Sequence, residues 1–286
     1  DYVIEKADPQ AELTDLSAAY TASEEIAAAE QRLADGIAPA EVVTRLQDGT
    51  KHMAIVIDGL PERPLTERML DVLQKHNASA VFFVEGQNAA EQPETIQRIH
   101  NTGYEIGNYT FVGISGAEKL PTERLLSELC RTQQVVATLS PKAPTLFRAP
   151  RTVYTDPLLQ AVKAAGIDYA VKENVRHAAG TFRDAADAAA FAATIPTGSI
   201  LAIGISRPVD PPSKEAGKTD DRPAVDKKPN IVDPPAVRNT PPPSDPADEL
   251  DWLLTALEGA GMRVVDIHDF RKIRYIPAIP EVEPVR

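Results

Sequence analysis

The stretch Met53–Gly86, "MAIVIDGLPERPLTERMLDVLQKHNASAVFFVEG", decides the fold. It opens with an apolar run that ends on Asp58 and Gly59. It continues through "PLTERMLDVLQKH", where Leu65, Met69, Leu70 and Leu73 fall on one helical face. It closes with a second apolar run, "AVFFV". Uninterrupted apolar runs separated by an amphipathic stretch are the pattern of parallel strands covered by helices on both faces. A β-α-β unit is therefore predicted here.

The same alternation continues in both the apolar and the amphipathic stretches that follow. "YEIGN", "PTLFR", "IDYAV", "SILAIGI" and "RVVDI" read as further strands, which makes about seven in all. "PETIQRIHNT", "TERLLSELCRTQQVVATL", "TDPLLQAVKAAG", "DAADAAAFAATI" and "DELDWLLTALEGAG" read as the helices between them. Thr155-Asp156-Pro157 is a helix start, with a capping hydroxyl followed by proline in the first turn. Gly103, Gly166 and Gly261 each end a helical pattern just before a strand. The fold class expected is α/β, a distorted barrel of seven β/α units.

Two regions break this rhythm. Residues 1–50 are rich in Ala and Glu and read as an N-terminal helical appendage, with residues 51–286 as the barrel. Residues 206–246 hold eleven of the 25 prolines. Proline removes backbone donors and fixes φ, so an extended insertion is expected there, leaving the C-terminal end of the strand "SILAIGI".

Composition narrows the function. A formal charge of −12 with no basic stripe argues against a nucleic-acid partner. No apolar run approaches the ~20 residues of a membrane-spanning helix. The single cysteine, Cys130, lies in a helical stretch and reads as a buried apolar residue. The chain starts at Asp1 rather than Met, which fits an exported protein that has lost a leader.

In order and spacing, Met53 to Ile273 resembles the polysaccharide deacetylase family, whose members remove acetyl groups from chitin oligomers, peptidoglycan and xylan. The resemblance is carried by "AIVIDG", "AVFFVEG", "YEIGNYTF", "LFRAPR", "GSILAIG" and "LEGAGMRVVDIHDF". It implies an exported, periplasmic or extracellular protein acting on glycans. It also implies a divalent metal such as zinc, held by one aspartate and two histidines, with a neighbouring aspartate as base and a late-strand histidine as acid. Such a metal polarises a carbonyl and activates water.

Carried over residue by residue, that machinery is mostly absent. Asp58 matches the metal-binding aspartate, but Ile57 stands at the position of the base. The two metal histidines align with Tyr109 and Gly113, and the late-strand histidine with Gly204. Arg148 and Pro150 match their motif, while Arg151 replaces the usual aromatic. The motif tryptophan is missing from "IDYAVKENV", and the chain's only tryptophan, Trp252, lies in the last helix. No metal cofactor is therefore expected, and the chain reads as a non-catalytic member that binds a glycan or an envelope protein. The alternative is a hydrolase of glycan acetyl groups with a rebuilt or weak site. The residues expected at a ligand are Asp58, Tyr109, Arg148, Arg151 and Tyr154. Asp58 has two readings: a structural ion pair with Arg148, which is favoured, or retained metal binding. Tyr109, Phe111 and Tyr154 are candidates for sugar stacking, with core packing the competing reading for Phe111. His52, His76, His100, His177 and His268 share no ligand-like spacing and read as surface or helix-end residues.

Overall fold

A computed structural model of the chain describes residues 20–46, 49–206, 209–210 and 244–269. The expectations for residues 1–19 and for most of the proline-rich stretch fall outside these. Nine strands are present among the described residues: β1 (Glu41–Val43), β2 (His52–Asp58), β3 (Val81–Val84), β4 (Glu105–Asn108), β5 (Leu146–Phe147), β6 (Tyr169–Val171), β7 (Val175–Ala178), β8 (Ile200–Gly204) and β9 (Arg263–Val264). The helices are α1 (Ser23–Ala34), α2 (Arg63–Lys75), α3 (Gly86–Glu91), α4 (Pro93–Asn101), α5 (Thr122–Leu139), α6 (Asp156–Ala164), α7 (Ala185–Ala192) and α8 (Pro246–Gly259).

Eight strands run in the order β1-β6-β5-β4-β3-β2-β8-β7, and β9 pairs with the start of β2. All the named strand pairs are parallel. The strands β6 and β7 lie toward opposite ends of this order, yet only Lys172, Glu173 and Asn174 separate them in the chain. So short a connection spans at most about 14 Å. The two ends of the sheet must therefore curl toward each other, and the barrel expected from the sequence follows. The sequence reading missed β1 and β7. The first lies inside the stretch read as helical appendage and pairs with β6 in register. The second, "VRHA", pairs with β8.

Side chains alternate along the strands, which sorts the core into layers. On β2, Met53, Ile55 and Ile57 pack outward with Met69, Leu70 and Leu73 of α2 and Leu250, Leu253 and Leu257 of α8. Ala54 and Val56 turn inward with Val81, Phe83, Leu146, Val171, Ile200 and Ala202. Asp58 is the next inward position, so its carboxylate reaches the barrel's interior at the C-terminal ends of the strands. A third cluster joins α1 to α5 and α6 through Ala22, Ala29, Leu126, Leu129 and Val162. Cys130 is buried there, and burial pushes its thiol up to about 12, so it packs as an apolar residue.

The helix boundaries have the predicted chemistry. The Thr155 side chain accepts from the Leu158 N–H at the start of α6, with Pro157 in the first turn. After α4, α6 and α8, Gly103, Gly166 and Gly261 take φ of +88°, +86° and +72°, the left-handed turn that glycine adopts without strain.

Candidate glycan-binding cleft

The inward end of β2 brings Asp58 against Arg148, which follows β5. Both are fully buried. Arg148 Nε donates to Asp58 Oδ1 at 2.6 Å, and Nη2 donates to Oδ2 at 3.0 Å. This is a fork-to-fork pair that occupies both carboxylate oxygens. Arg148 Nη1 donates to Glu173 Oε2 at 2.5 Å and to the Val171 carbonyl at 3.3 Å. Arg176 on β7 donates to Glu173 Oε1 at 2.8 Å and stands 3.7 Å from Asp58 Oδ2. Burial alone would lower the Arg148 pKa, but Asp58 and Glu173 reverse that and hold the guanidinium protonated. Burial likewise pushes the Glu173 carboxyl up, but Arg148 and Arg176 outweigh it and bring it down to about 2.

Tyr109 lies beside this cluster, only 3% exposed. Burial and the nearby Asp58 charge raise its phenol above the ordinary value, so it is neutral. The loop after β4 is tightly held. Asn108 Oδ1 accepts from the Thr110 N–H, and the Thr110 hydroxyl accepts from the Ile114 N–H, each at 2.9 Å. Buried Glu128 accepts from the Phe111 and Val112 N–H groups at 2.9 and 3.2 Å. Phe111 packs in the outer core with Arg131 3.6 Å over its ring, so core packing is its role. Gly113 has φ of +70°, and a β-carbon there would lie 3.2 Å from Glu85 Cγ.

The remaining predicted residues are spread around this centre. Gly204 ends β8, and a β-carbon there would meet only the His177 carbonyl, at 3.8 Å. Ile57 points to the opposite side of β2 from Asp58, into the outer apolar layer, and is completely buried. Tyr154 is half-buried, and its hydroxyl donates to the Val171 carbonyl at 2.9 Å. Arg151 is exposed on the rim, 3.7 Å from Asp210. Asp210 also accepts from the Ser115 hydroxyl at 2.6 Å, and Val209 pairs with Ile114 as a parallel bridge. Val209 and Asp210 thus lie against the loop that follows β4, at the same rim.

Three charged residues of the cleft escaped the sequence reading: Glu85, Glu173 and Arg176. Glu85 and Glu173 lie just beyond the ends of β3 and β6 and Arg176 near the start of β7, and only the curl of the sheet brings them together. A carboxylate closing the apolar run "AVFFV" was the one available signal for Glu85. The histidine reading also needs correction. His177 is on β7 and buried, bonded through Nε2 to Glu249 at 2.8 Å and stacked on Phe182 with ring centres 3.9 Å apart. It looked like a surface residue because β7 was not recognised. His76 caps α2 as expected and bonds to Asp251 and Glu258. Among the described residues no group of three or more His, Cys, Asp or Glu side chains is arranged to hold a metal ion.

The site is thus a barrel of parallel strands with an aspartate and an arginine paired at its C-terminal mouth. Comparison with known proteins agrees: the polysaccharide deacetylase family model matches residues 45–170, which bears out the resemblance read from the sequence. A peptidoglycan-N-acetylglucosamine deacetylase of Bacillus cereus is 33% identical over 99 residues, covering 35% of this chain and 36% of that protein. The chain spans between about a third and just over half the length of the first curated relatives it matches. Among solved structures, the family 4 carbohydrate esterase PdaA of Bacillus subtilis superposes with a TM-score of 0.60 at 19% identity, over 94% of this chain and 92% of its own. A family 4 pseudoenzyme from Bacillus anthracis also gives 0.60, at 16% identity, over 82% and 70%. These two likenesses establish the fold. No helix among the described residues is long and apolar enough to cross a membrane.

Proposed function

We propose that this chain is a non-catalytic polysaccharide deacetylase-fold protein that binds cell-wall glycan outside the cytoplasmic membrane. The observation that carries the reading is the Asp58–Arg148 pair. Both oxygens of the one surviving metal-position carboxylate are taken by a guanidinium. The other two metal positions hold a neutral phenol and a glycine. A zinc site needs three or four ligands, and this set does not supply them. The chain at the position of the acid is Gly204, and Ile57 faces away from the cleft altogether. A general acid or base contributes ~10²–10⁴-fold, so losing both leaves little rate to recover. The Bacillus anthracis neighbour, itself described as a pseudoenzyme, is a precedent for this fold without activity. The Bacillus cereus relative is named for a peptidoglycan sugar, which supports the envelope as the setting.

The test has two arms. Incubation with acetylated chitin, peptidoglycan and xylan fragments plus Zn²⁺, Co²⁺ or Ni²⁺ is expected to release no acetate. Calorimetry with the same fragments is expected to show binding to at least one. Acetate release that disappears in Asp58→Ala would replace this reading with that of a hydrolase. Silence in calorimetry from every fragment would remove the glycan.

A further inference from the structure

Glu85 closes β3 and is 4% exposed, yet no Lys, Arg or His forms an ion pair with it among the described residues. Its Oε2 accepts from the Leu60 N–H at 2.9 Å, and its Oε1 bonds to no protein group. The Tyr109 hydroxyl is in the same condition. His52 Nδ1 is the one fully enclosed side-chain polar atom left without a partner among the described residues. Glu85 Oε1 and the Tyr109 hydroxyl therefore both keep an opening to the cleft. They also belong to one place. A point one β-carbon out from Gly113 lies 3.4 Å from Glu85 Oε1 and 3.7 Å from Tyr109 Cδ1. Gly113 itself puts no side chain between Glu85 and the Tyr109 ring, and the Glu85 charge is close enough to act on the Tyr109 phenol.

The charges around Tyr109 do not balance. Asp58, Glu173 and Glu85 supply three carboxylates, while Arg148 and Arg176 supply two guanidiniums. Both guanidiniums are committed to Asp58 and Glu173, so the surplus negative charge rests on Glu85. A nearly buried carboxylate without a partner is costly, and a ligand cation with N–H donors relieves that cost. One free carboxylate oxygen and one phenol are too few ligands for a divalent metal. They suit an ammonium group, which offers separate N–H donors to each.

The geometry points to Glu85 and Tyr109 as a recognition site for the free amine of a de-N-acetylated amino sugar. This rests on the glycan-binding reading and sharpens it: the cleft takes the glucosamine form of the polymer in preference to the N-acetylated form. An acetamido group carries no charge and brings only one N–H, so it leaves Glu85 uncompensated.

Calorimetry with a glucosamine tetramer and an N-acetylglucosamine tetramer tests this, at an ionic strength that screens the acidic surface. The amine tetramer is expected to bind at least about tenfold more tightly, as a charge-assisted hydrogen bond allows. Glu85→Gln keeps an acceptor for the Leu60 N–H and is expected to reduce the preference to less than about threefold. Tyr109→Phe removes only the hydroxyl and is expected to weaken binding of the amine tetramer severalfold. Equal or tighter binding of the acetylated tetramer overturns the inference while leaving the glycan reading standing. A preference that survives unchanged in Glu85→Gln overturns it too, since the general negative charge would then be responsible. No heat from either tetramer, with peptidoglycan and xylan fragments silent as well, sinks the glycan reading first and this inference with it.

Discussion

Two carboxylates end neighbouring strands at the mouth of this barrel, and they are in opposite states. Asp58 ends β2 with both oxygens bound by Arg148. Glu85 follows β3 with one oxygen bound to a backbone N–H and the other unbound. Both are nearly inaccessible. Burial therefore does not separate a structural acid from a recognition acid here; the partner does. A buried charge with a matched counter-charge belongs to the scaffold, and one without is available to a ligand.

The largest test of this contrast is Arg148→Met. It strands Asp58 as an unpaired buried charge, and a loss of about 3–5 kcal/mol is expected in urea unfolding. Adding Asp58→Asn to it is expected to recover most of that loss. If Arg148→Met costs less than about 1 kcal/mol, the pair is not what holds the cleft together.

A titration sharpens the same point. The Glu173 pKa is lowered in the folded protein to about 2, from an ordinary value near 4.5. Its contribution to stability is therefore present above the ordinary value and is lost as pH falls through the interval to about 2. Unfolding measured across that interval is expected to show a steeper acid loss in the wild type than in Glu173→Gln.

Smaller effects are expected at the two glycines. Gly113→His forces an imidazole-bearing residue into a left-handed backbone and against Glu85 Cγ, at a cost of about 1–2 kcal/mol. Gly204→His puts its β-carbon in ordinary van der Waals contact with the His177 carbonyl, with no backbone strain, and is expected to fall within about 0.5 kcal/mol of the wild type. Glu85→Gln differs in sign. It has no ion pair to lose and removes a buried carboxylate left without a counter-charge, so it is expected to raise stability by about 1 kcal/mol. A large destabilisation there would make Glu85 a second Asp58.

The scaffold was legible in the sequence because its signals are local. Apolar runs, the helical face of α2 and the Thr155 cap each lie within a few residues, and they located seven of the nine described strands. The strand β1 is three residues long and follows an Ala-rich helix; β7 alternates Val, Arg, His and Ala, with only His177 buried. Neither offers a run to recognise. The Asp58–Arg148 pair was readable for a different reason: the resemblance supplied both positions, and an ion pair with Arg148 was the favoured reading of Asp58. Glu85, Glu173 and Arg176 could not be assembled in the same way. Glu173 and Arg176 are 88 and 91 residues from Glu85 in the chain, by subtraction of their numbers. Their meeting is decided by how the sheet curls. Alternation along β2 puts Ile57, at the position the resemblance assigns to the base, in the outer apolar layer with residues of α2 and α8. An aspartate introduced there would enter an apolar layer rather than the cleft.

The three-residue connection between β6 and β7 has a consequence for motion. Glu173 is the middle residue of that connection, and it ties Arg148 beside β5 to Arg176 on β7. The seam of the barrel is thus stitched by the same side chains that pave its mouth. Protonating or removing Glu173 slackens the stitching on the open side first, so the width of the entrance and the closure of the cylinder change together.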